Sequence, residues 1–307
     1  MTKLPSYSIC QLLGIDRCMS EIFVSRLRDF GESEECIQFP HKHEFFQLVL
    51  FTKGGGQHSI DFEQYEVKAD QVYFTSPGQI HSWHFDDETD GFLVNFNESF
   101  FTSICHNPNF IHNFPLFGNS STFSTLQLQG KVLIAVKGAF IQMLAEFENG
   151  DQYSMDMLRA RLMSIIIQLS RILPEPVNDF ASKHNVALMR KFESLIEEHY
   201  KKKRLPREYA ELLFVTPNYL NTLSNRVLGK SAGEIIRERI LLEAKRMLTN
   251  SDMMVGEIAE TLHFEDNALF NPFLQEIYGR HPGRLPRFLY AGEYFAISAI
   301  SFPNCIS

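Results

Sequence analysis

The sequence predicts a multidomain α+β chain: a strand-rich first part, a helix pair, and an all-helical last third. Three observations carry this reading. Short apolar segments divided by turn residues fill residues 35–100. A helical period of apolar residues begins at Lys131. A helix, turn, helix pattern then recurs at an offset of 49 residues inside 185–290.

The strand-rich part reads as segments 45–51, 58–62, 65–67, 71–74 and 92–96. Gly54-Gly55-Gly56, Lys68-Ala69-Asp70, Pro77-Gly78 and Asp90-Gly91 punctuate them. Short strands at such spacing predict a sandwich or barrel. The 28 Phe concentrate here and in 96–123, as an aromatic interior requires.

Beyond Lys131, Val132, Leu133, Val136, Phe140, Met143, Leu144 and Phe147 recur at helical spacing, and Asn149-Gly150 stops the run. Met157, Leu158, Leu162, Ile165, Ile166, Leu169 and Ile172 form a second amphipathic helix that ends before Pro174. The pair either packs on its own domain or pairs two chains. Pro174 and Pro176 mark a linker.

The last third predicts helices at 208–213, 217–228, 231–249, 255–262 and 267–278. Tyr209-Ala-Glu-Leu-Leu-Phe-Val-Thr-Pro-Asn parallels Ile258-Ala-Glu-Thr-Leu-His-Phe-Glu-Asp-Asn. Ala210 and Ala259 are small where two helices must cross closely. Thr216 and Asp266 supply N-cap oxygens, and Pro217 takes the first helical position, where its missing donor costs nothing. Units of this kind place their second helix in the DNA major groove.

The formal net charge of −8 argues at first against nucleic acid. Residues 1–184 carry 13 basic and 22 acidic residues, whereas 185–290 carry 16 and 14. The acid therefore lies outside the helical part, which holds the run Lys201-Lys202-Lys203-Arg204. The five cysteines, Cys10, Cys18, Cys36, Cys105 and Cys305, lack CxxC spacing and fit neither a disulfide framework nor a zinc ribbon. No signal-peptide pattern or membrane-length apolar run is present, so a cytoplasmic protein without a membrane partner is expected.

On Thr216-Pro-Asn-Tyr-Leu-Asn, Gly229-Lys-Ser, Arg239-Ile-Leu-Leu-Glu-Ala-Lys-Arg-Met-Leu, Glu257-Ile-Ala-Glu-Thr-Leu-His-Phe-Glu-Asp and Tyr278-Gly-Arg-His-Pro, residues 190–285 resemble the DNA-binding domain of AraC/XylS transcription regulators. His41-Lys-His43, the Gly54-Gly55-Gly56 turn and the stretch from Ser76 to Trp83 resemble, more loosely, that family's cupin-like effector domain. The resemblance implies a cupin-like effector domain at 1–130 and a candidate dimerisation helix pair at 131–173. A linker at 174–184 then precedes a double helix-turn-helix domain at 185–290, with a tail at 291–307. It implies a sequence-specific regulator, an activator, that binds double-stranded DNA and a small-molecule effector as a homodimer. RNA polymerase enters as a candidate partner; no cofactor and no catalytic residue are assigned.

By motif position, the first recognition helix offers Asn218, Tyr219, Asn221, Thr222 and Asn225, with Arg226 and Lys230 suited to phosphate. Asn suits adenine through a bidentate pair. The second offers Asn267, Ala268 and Asn271. Lys245 and Arg246 read as surface residues of the connecting helix. The chain departs from the family where Thr222 and Pro272 replace an Arg, Ser224 and Leu274 an aromatic, and Gln275 and Glu276 residues that are often basic. His263 stands where a Gly is usual. Pro272, some six residues into its helix, removes a backbone bond at a cost of about 3 kcal/mol, so the first unit is expected to carry most of the readout.

In the first domain, His41, His43, Gln47 and His81 have the spacing of the metal ligands of catalytic cupins, with Gln47 in place of a carboxylate. The absent carboxylate argues against a metal. These four and Trp83, which shares a strand face with His81, are assigned to effector binding. The alternative is a metal-dependent cupin enzyme with a helical appendage; a regulator whose DNA binding has decayed in favour of a protein partner is a third reading, supported by Pro272.

Overall fold

The computed structural model describes residues 4–12, 21–30, 39–102, 104–105, 110–117, 124–173, 183–250, 253–264 and 270. The chain divides into two compact units, meeting in sequence at Glu175–Pro176. No helix among the described residues is long and apolar enough to cross a membrane.

The first unit holds strands β1 (Ser6–Tyr7), β2 (Ile22–Arg26), β3 (His41–His43), β4 (Phe46–Lys53), β5 (Gln57–Ile60), β6 (Glu63–Glu66), β7 (Gln71–Thr75), β8 (Ile80–His84), β9 (Asp90–Phe96) and β10 (Thr125–Gln127). They form two five-stranded sheets, ordered β1-β3-β8-β5-β6 and β10-β7-β4-β9-β2. All pairings are antiparallel except β1 with β3. The expected segments are all present; β3 and β8, which carry the predicted histidines, are strands as well.

Strand β4 is buried on both faces as far as Phe51. Its even residues Phe46, Leu48 and Leu50 join Val72, Phe74, Phe92, Val94 and Phe96 under helices α1 (Gly130–Asn149) and α2 (Ser154–Ile172). Its odd residues Val49 and Phe51 face Ile60, Tyr73, Trp83 and Leu93 between the sheets. The helix pair therefore packs on its own sheet through Val136, Phe140, Met143, Leu158, Leu162 and Ile165. Two glycines permit the close strand contacts. A β-carbon on Gly91 would lie 2.2 Å from the Leu50 carbonyl oxygen, and Gly56 turns at φ +79°, where a side chain would meet the His84 carbonyl. Cys10 is disulfide-bonded, which corrects the expectation that the cysteines form no disulfide.

The second unit holds α3 (Lys183–His199), α4 (Pro206–Leu212), α5 (Pro217–Leu228), α6 (Ala232–Asn250) and α7 (Val255–Thr261). Met189, Phe192, Tyr209, Leu220, Ile236, Ile240, Ile258 and Phe270 share its core. A buried ionic knot ties α6 to α3. Arg239 is held by Glu197 (3.0 Å) and Glu243 (3.1 Å), and its guanidinium lies 3.9 Å from the centre of the Tyr200 ring. Arg246, read from sequence as a surface residue, is instead buried and ion-paired with Glu243 at 3.4 Å. Burial pushes the Glu243 carboxyl upward, but the charges of Arg239 and Arg246 outweigh it and hold the group below the usual carboxylate range.

Removing one partner of a buried pair leaves the other charge uncompensated. Arg239→Ala should cost about 3–5 kcal/mol in urea unfolding of the helical unit, followed by far-UV circular dichroism. Glu243 titrates lower in the folded chain than in the unfolded one. Its contribution is therefore present above the ordinary carboxylate range and lost as pH falls through the folded value. Glu243→Gln should flatten that acid dependence.

Candidate functional site

Two regions concentrate functional side chains. The first is the interior of the sheet pair. His41 and His43 alternate along β3 and so share a face. The register pairs His41 with His81, and on the neighbouring strands Trp83 with His58. All five side chains are buried. His81 Nε2 lies 2.7 Å from His43 Nε2 and 3.0 Å from His41 Nε2, and His81 Nδ1 lies 3.5 Å from His58 Nε2. The Phe39 carbonyl accepts from His41 Nδ1 at 2.9 Å. Trp83 stands edge-on to His58, ring centres 5.3 Å apart, and 5.8 Å from His81.

Sequence reasoning missed His58. Its signal was its alternation with Ile60 on the inward face of β5, a pattern that marks burial without marking chemistry. Burial drives His41 down to about 4, against the opposing effect of the Phe39 carbonyl. His43, His58 and His81 are also driven well below the ordinary imidazole value, first by burial and then by neighbouring histidine charge.

Gln47 sits on the inward face of β4, in register with Thr75 and Asn95. Its amide donates to Asn95 Oδ1 at 3.0 Å. Gln47 Oε1, Asn95 Nδ2, Thr75 Oγ1, His58 Nδ1 and Trp83 Nε1 are buried without hydrogen-bond partners. Buried polar atoms are almost always paired in folded proteins, so these five are the atoms a polar molecule in this interior would meet.

The second region is the repeated helical unit. Both copies use the same backbone devices 49 residues apart. Glu208 accepts from the Leu205 amide and Glu257 from that of Met254, at the helix starts. Val215 donates to the Ala210 carbonyl and Phe264 to that of Ala259, across the turns. Phe214 and His263 both turn at φ +57°. His263 thus adopts the left-handed backbone that favours the glycine usual in the family.

Thr216 caps α5 by accepting from the Tyr219 amide at 3.2 Å, and Gly229 ends it in the left-handed conformation. Asn218, Tyr219, Thr222, Asn225 and Arg226 are exposed along α5. Asn221 is not in that row. It is half-buried, and its side-chain oxygen accepts from the Ala232 amide at 3.1 Å, at the start of α6. Lys230 is paired with Glu238 at 2.7 Å. Ser224 is buried and donates to the Lys230 carbonyl at 2.8 Å, closing the turn after α5. Arg204, from the basic run, stacks on Phe264 at 3.5 Å and donates to the Leu262 carbonyl, bracing the second copy. Asn267, Ala268, Asn271, Pro272, Leu274, Gln275 and Glu276 lie outside the described residues.

Asn221→Ala should remove the hydrogen bond to Ala232 and lower stability by about 1 kcal/mol, as loss of a helix cap does. Thr222→Ala, at an exposed position, should change stability by less than about 0.5 kcal/mol. Thermal denaturation of the two variants separates a positioning asparagine from a surface one.

Both parts of the chain match known protein families. Residues 37–166 match the family model of an AraC-like ligand binding domain, and residues 209–287 match that of a helix-turn-helix domain. The chain is 19% identical over 253 residues to the HTH-type transcriptional activator RhaR of Enterobacter sp. (strain 638), covering 80% of this chain and 84% of that protein. It is 30% identical over 87 residues to the uncharacterized HTH-type transcriptional regulator YisR of Bacillus subtilis (strain 168), covering 28% of this chain and 30% of that one. Among solved structures, unsaturated fatty acid bound ToxT of Vibrio cholerae aligns over 87% of this chain and 95% of its own, with 14% identity and a TM-score of 0.39.

Proposed function

This chain belongs to the AraC/XylS family of transcription regulators, and on that premise we propose how its labour is divided. Residues 1–130 bind the effector, 131–173 pair two chains, 174–184 link, and 185–290 read DNA. The observation that carries this reading is the pairing of a polar barrel interior with a twice-built helical unit whose first copy presents an exposed polar row.

DNA is read by Asn218, Tyr219, Thr222 and Asn225 of α5, with Arg226 on phosphate. Lys230 contacts phosphate by exchanging Glu238 for the DNA backbone. Asn221 acts by fixing α5 against the start of α6. Asn267, Ala268 and Asn271 complete the reading in the second unit. A small molecule in the first unit contacts His41, His43, Gln47, His81 and Trp83 and alters DNA occupancy. The regulator carries no catalytic activity of its own, works in the cytoplasm, and activates transcription with RNA polymerase as partner. Two chains pair through the exposed face of α1, where Ile134 and Ile141 are 73% and 49% exposed. With a net charge of only +2 in 185–290, one chain binds weakly and with strong salt dependence, so pairing raises occupancy.

Selection of bound sequences from random DNA should return two blocks about one helical turn apart. In gel shifts on that site, Thr222→Ala and Asn225→Ala should each lose about 1–3 kcal/mol of discrimination between matched and mismatched bases. Arg226→Ala should weaken all sequences alike. Absence of any sequence-selective binding would overturn the proposal.

A further inference from the structure

The four buried histidines are more than a polar patch. The Nε2 atoms of His41 and His43 both close on His81 Nε2, at 3.0 and 2.7 Å. All three lie within 4.8 Å of one another. The Phe39 carbonyl fixes one proton position among these rings. His41 gives its Nδ1 proton to the Phe39 carbonyl, which leaves Nε2 of the neutral ring as a lone pair. His81 Nδ1 faces His58 Nε2. With its proton there, His81 also turns a lone pair inward.

In that arrangement of protons, one cation can accept a lone pair from each of the three converging Nε2 atoms. Zinc–imidazole bonds are about 2.0–2.1 Å, so nitrogens sharing a tetrahedral ion stand about 3.3 Å apart. The observed separations are a few tenths of an ångström shorter, which small ring rotations accommodate. The Phe39 carbonyl and His58 occupy the positions of outer partners that orient metal-bound imidazoles.

We propose that the Nε2 atoms of His41, His43 and His81 hold one divalent transition-metal ion inside the sheet pair, and that its remaining position takes an anionic oxygen of the effector. Three neutral imidazoles suit zinc, iron, copper or nickel rather than magnesium or calcium, which require oxygen ligands. Among the described residues no carboxylate or thiolate joins the three. The ion would therefore bring an uncompensated double charge into a buried interior, a costly arrangement unless an anion accompanies it. The unpartnered donors Trp83 Nε1 and Asn95 Nδ2 belong to the same interior and suit the rest of an oxygen-rich ligand. The absent carboxylate at Gln47, read from sequence as an argument against a metal, becomes the reason its effector is an anion. This second part rests on the effector role proposed above; the metal site does not.

The test is titration of the full chain, without an affinity tag and stripped by chelator, with Co²⁺. Visible absorption and Trp83 fluorescence are followed together. One equivalent should bind, with the intense absorption of a four-coordinate ion held by three imidazoles and a change in Trp83 emission. His81→Ala should weaken binding by more than about 100-fold. His58→Gln, which keeps all three ligands, should weaken it by about 10–100-fold. A wild-type chain that takes up no stoichiometric Co²⁺ overturns the site without reference to any variant, as does equal uptake by folded His81→Ala. Azide added to the cobalt form should shift the absorption; an unchanged spectrum at saturating azide overturns the anion position alone. Gel shifts on the same samples report DNA binding separately, so failure of the metal site is distinguishable from failure of the regulator reading.

Discussion

The first unit is organised by the burial of one strand on both faces. Strand β4 alternates Phe46, Leu48 and Leu50 outward with Gln47, Val49 and Phe51 inward, and a period of two permits no other assignment. The outward row gives α1 and α2 their seat. The inward row sets the wall of the interior that the histidines of the opposite sheet face. A slip of one residue would place Gln47 under the helices and Leu48 among polar side chains. Register on β4, pinned by its pairing with β7 and β9 and by the close approach at Gly91, therefore fixes both core and site at once.

What was legible in the sequence follows from which interactions are local. The apolar run of β4, the 3.6-residue period of α1 and α2, and the cap, proline and glycine of α5 are all written within a few residues. They emerge within about three residues of their expected bounds. The repeat was legible for the same reason, since each copy rebuilds the same turn from the same short string. Pairings distant in sequence were not. His58 reaches its partners across a sheet, 23 residues from His81. Asn221 looked like a base reader because its helix position is right, yet its oxygen meets an amide 11 residues on. Arg246 looked solvated because neither the Glu243 pair nor its burial follows from charge pattern alone.

The division of charge has a physical counterpart in the two units. In the helical unit, each charge of the knot at Arg239 is answered by Glu197, Glu243 and the Tyr200 ring. That arrangement recovers by mutual attraction what burial takes away, and it holds two helices in one geometry.

The interior of the first unit is built on the opposite principle. Its imidazoles are pressed toward the neutral form by burial, and Gln47, Asn95, Thr75 and Trp83 retain atoms without partners. An unsatisfied buried donor or acceptor costs on the order of 1–3 kcal/mol, so such atoms are not a device for stability. An apolar filling of the same strands, like the Phe and Val that surround them, would fold more easily. The contrast between a polar cluster that is fully answered and one that is not separates the scaffold from the sensor. In the first, the polar groups complete one another. In the second, the unanswered atoms are the ones the proposed ligands would meet: a cation for converging ring nitrogens, and oxygen for the remaining donors.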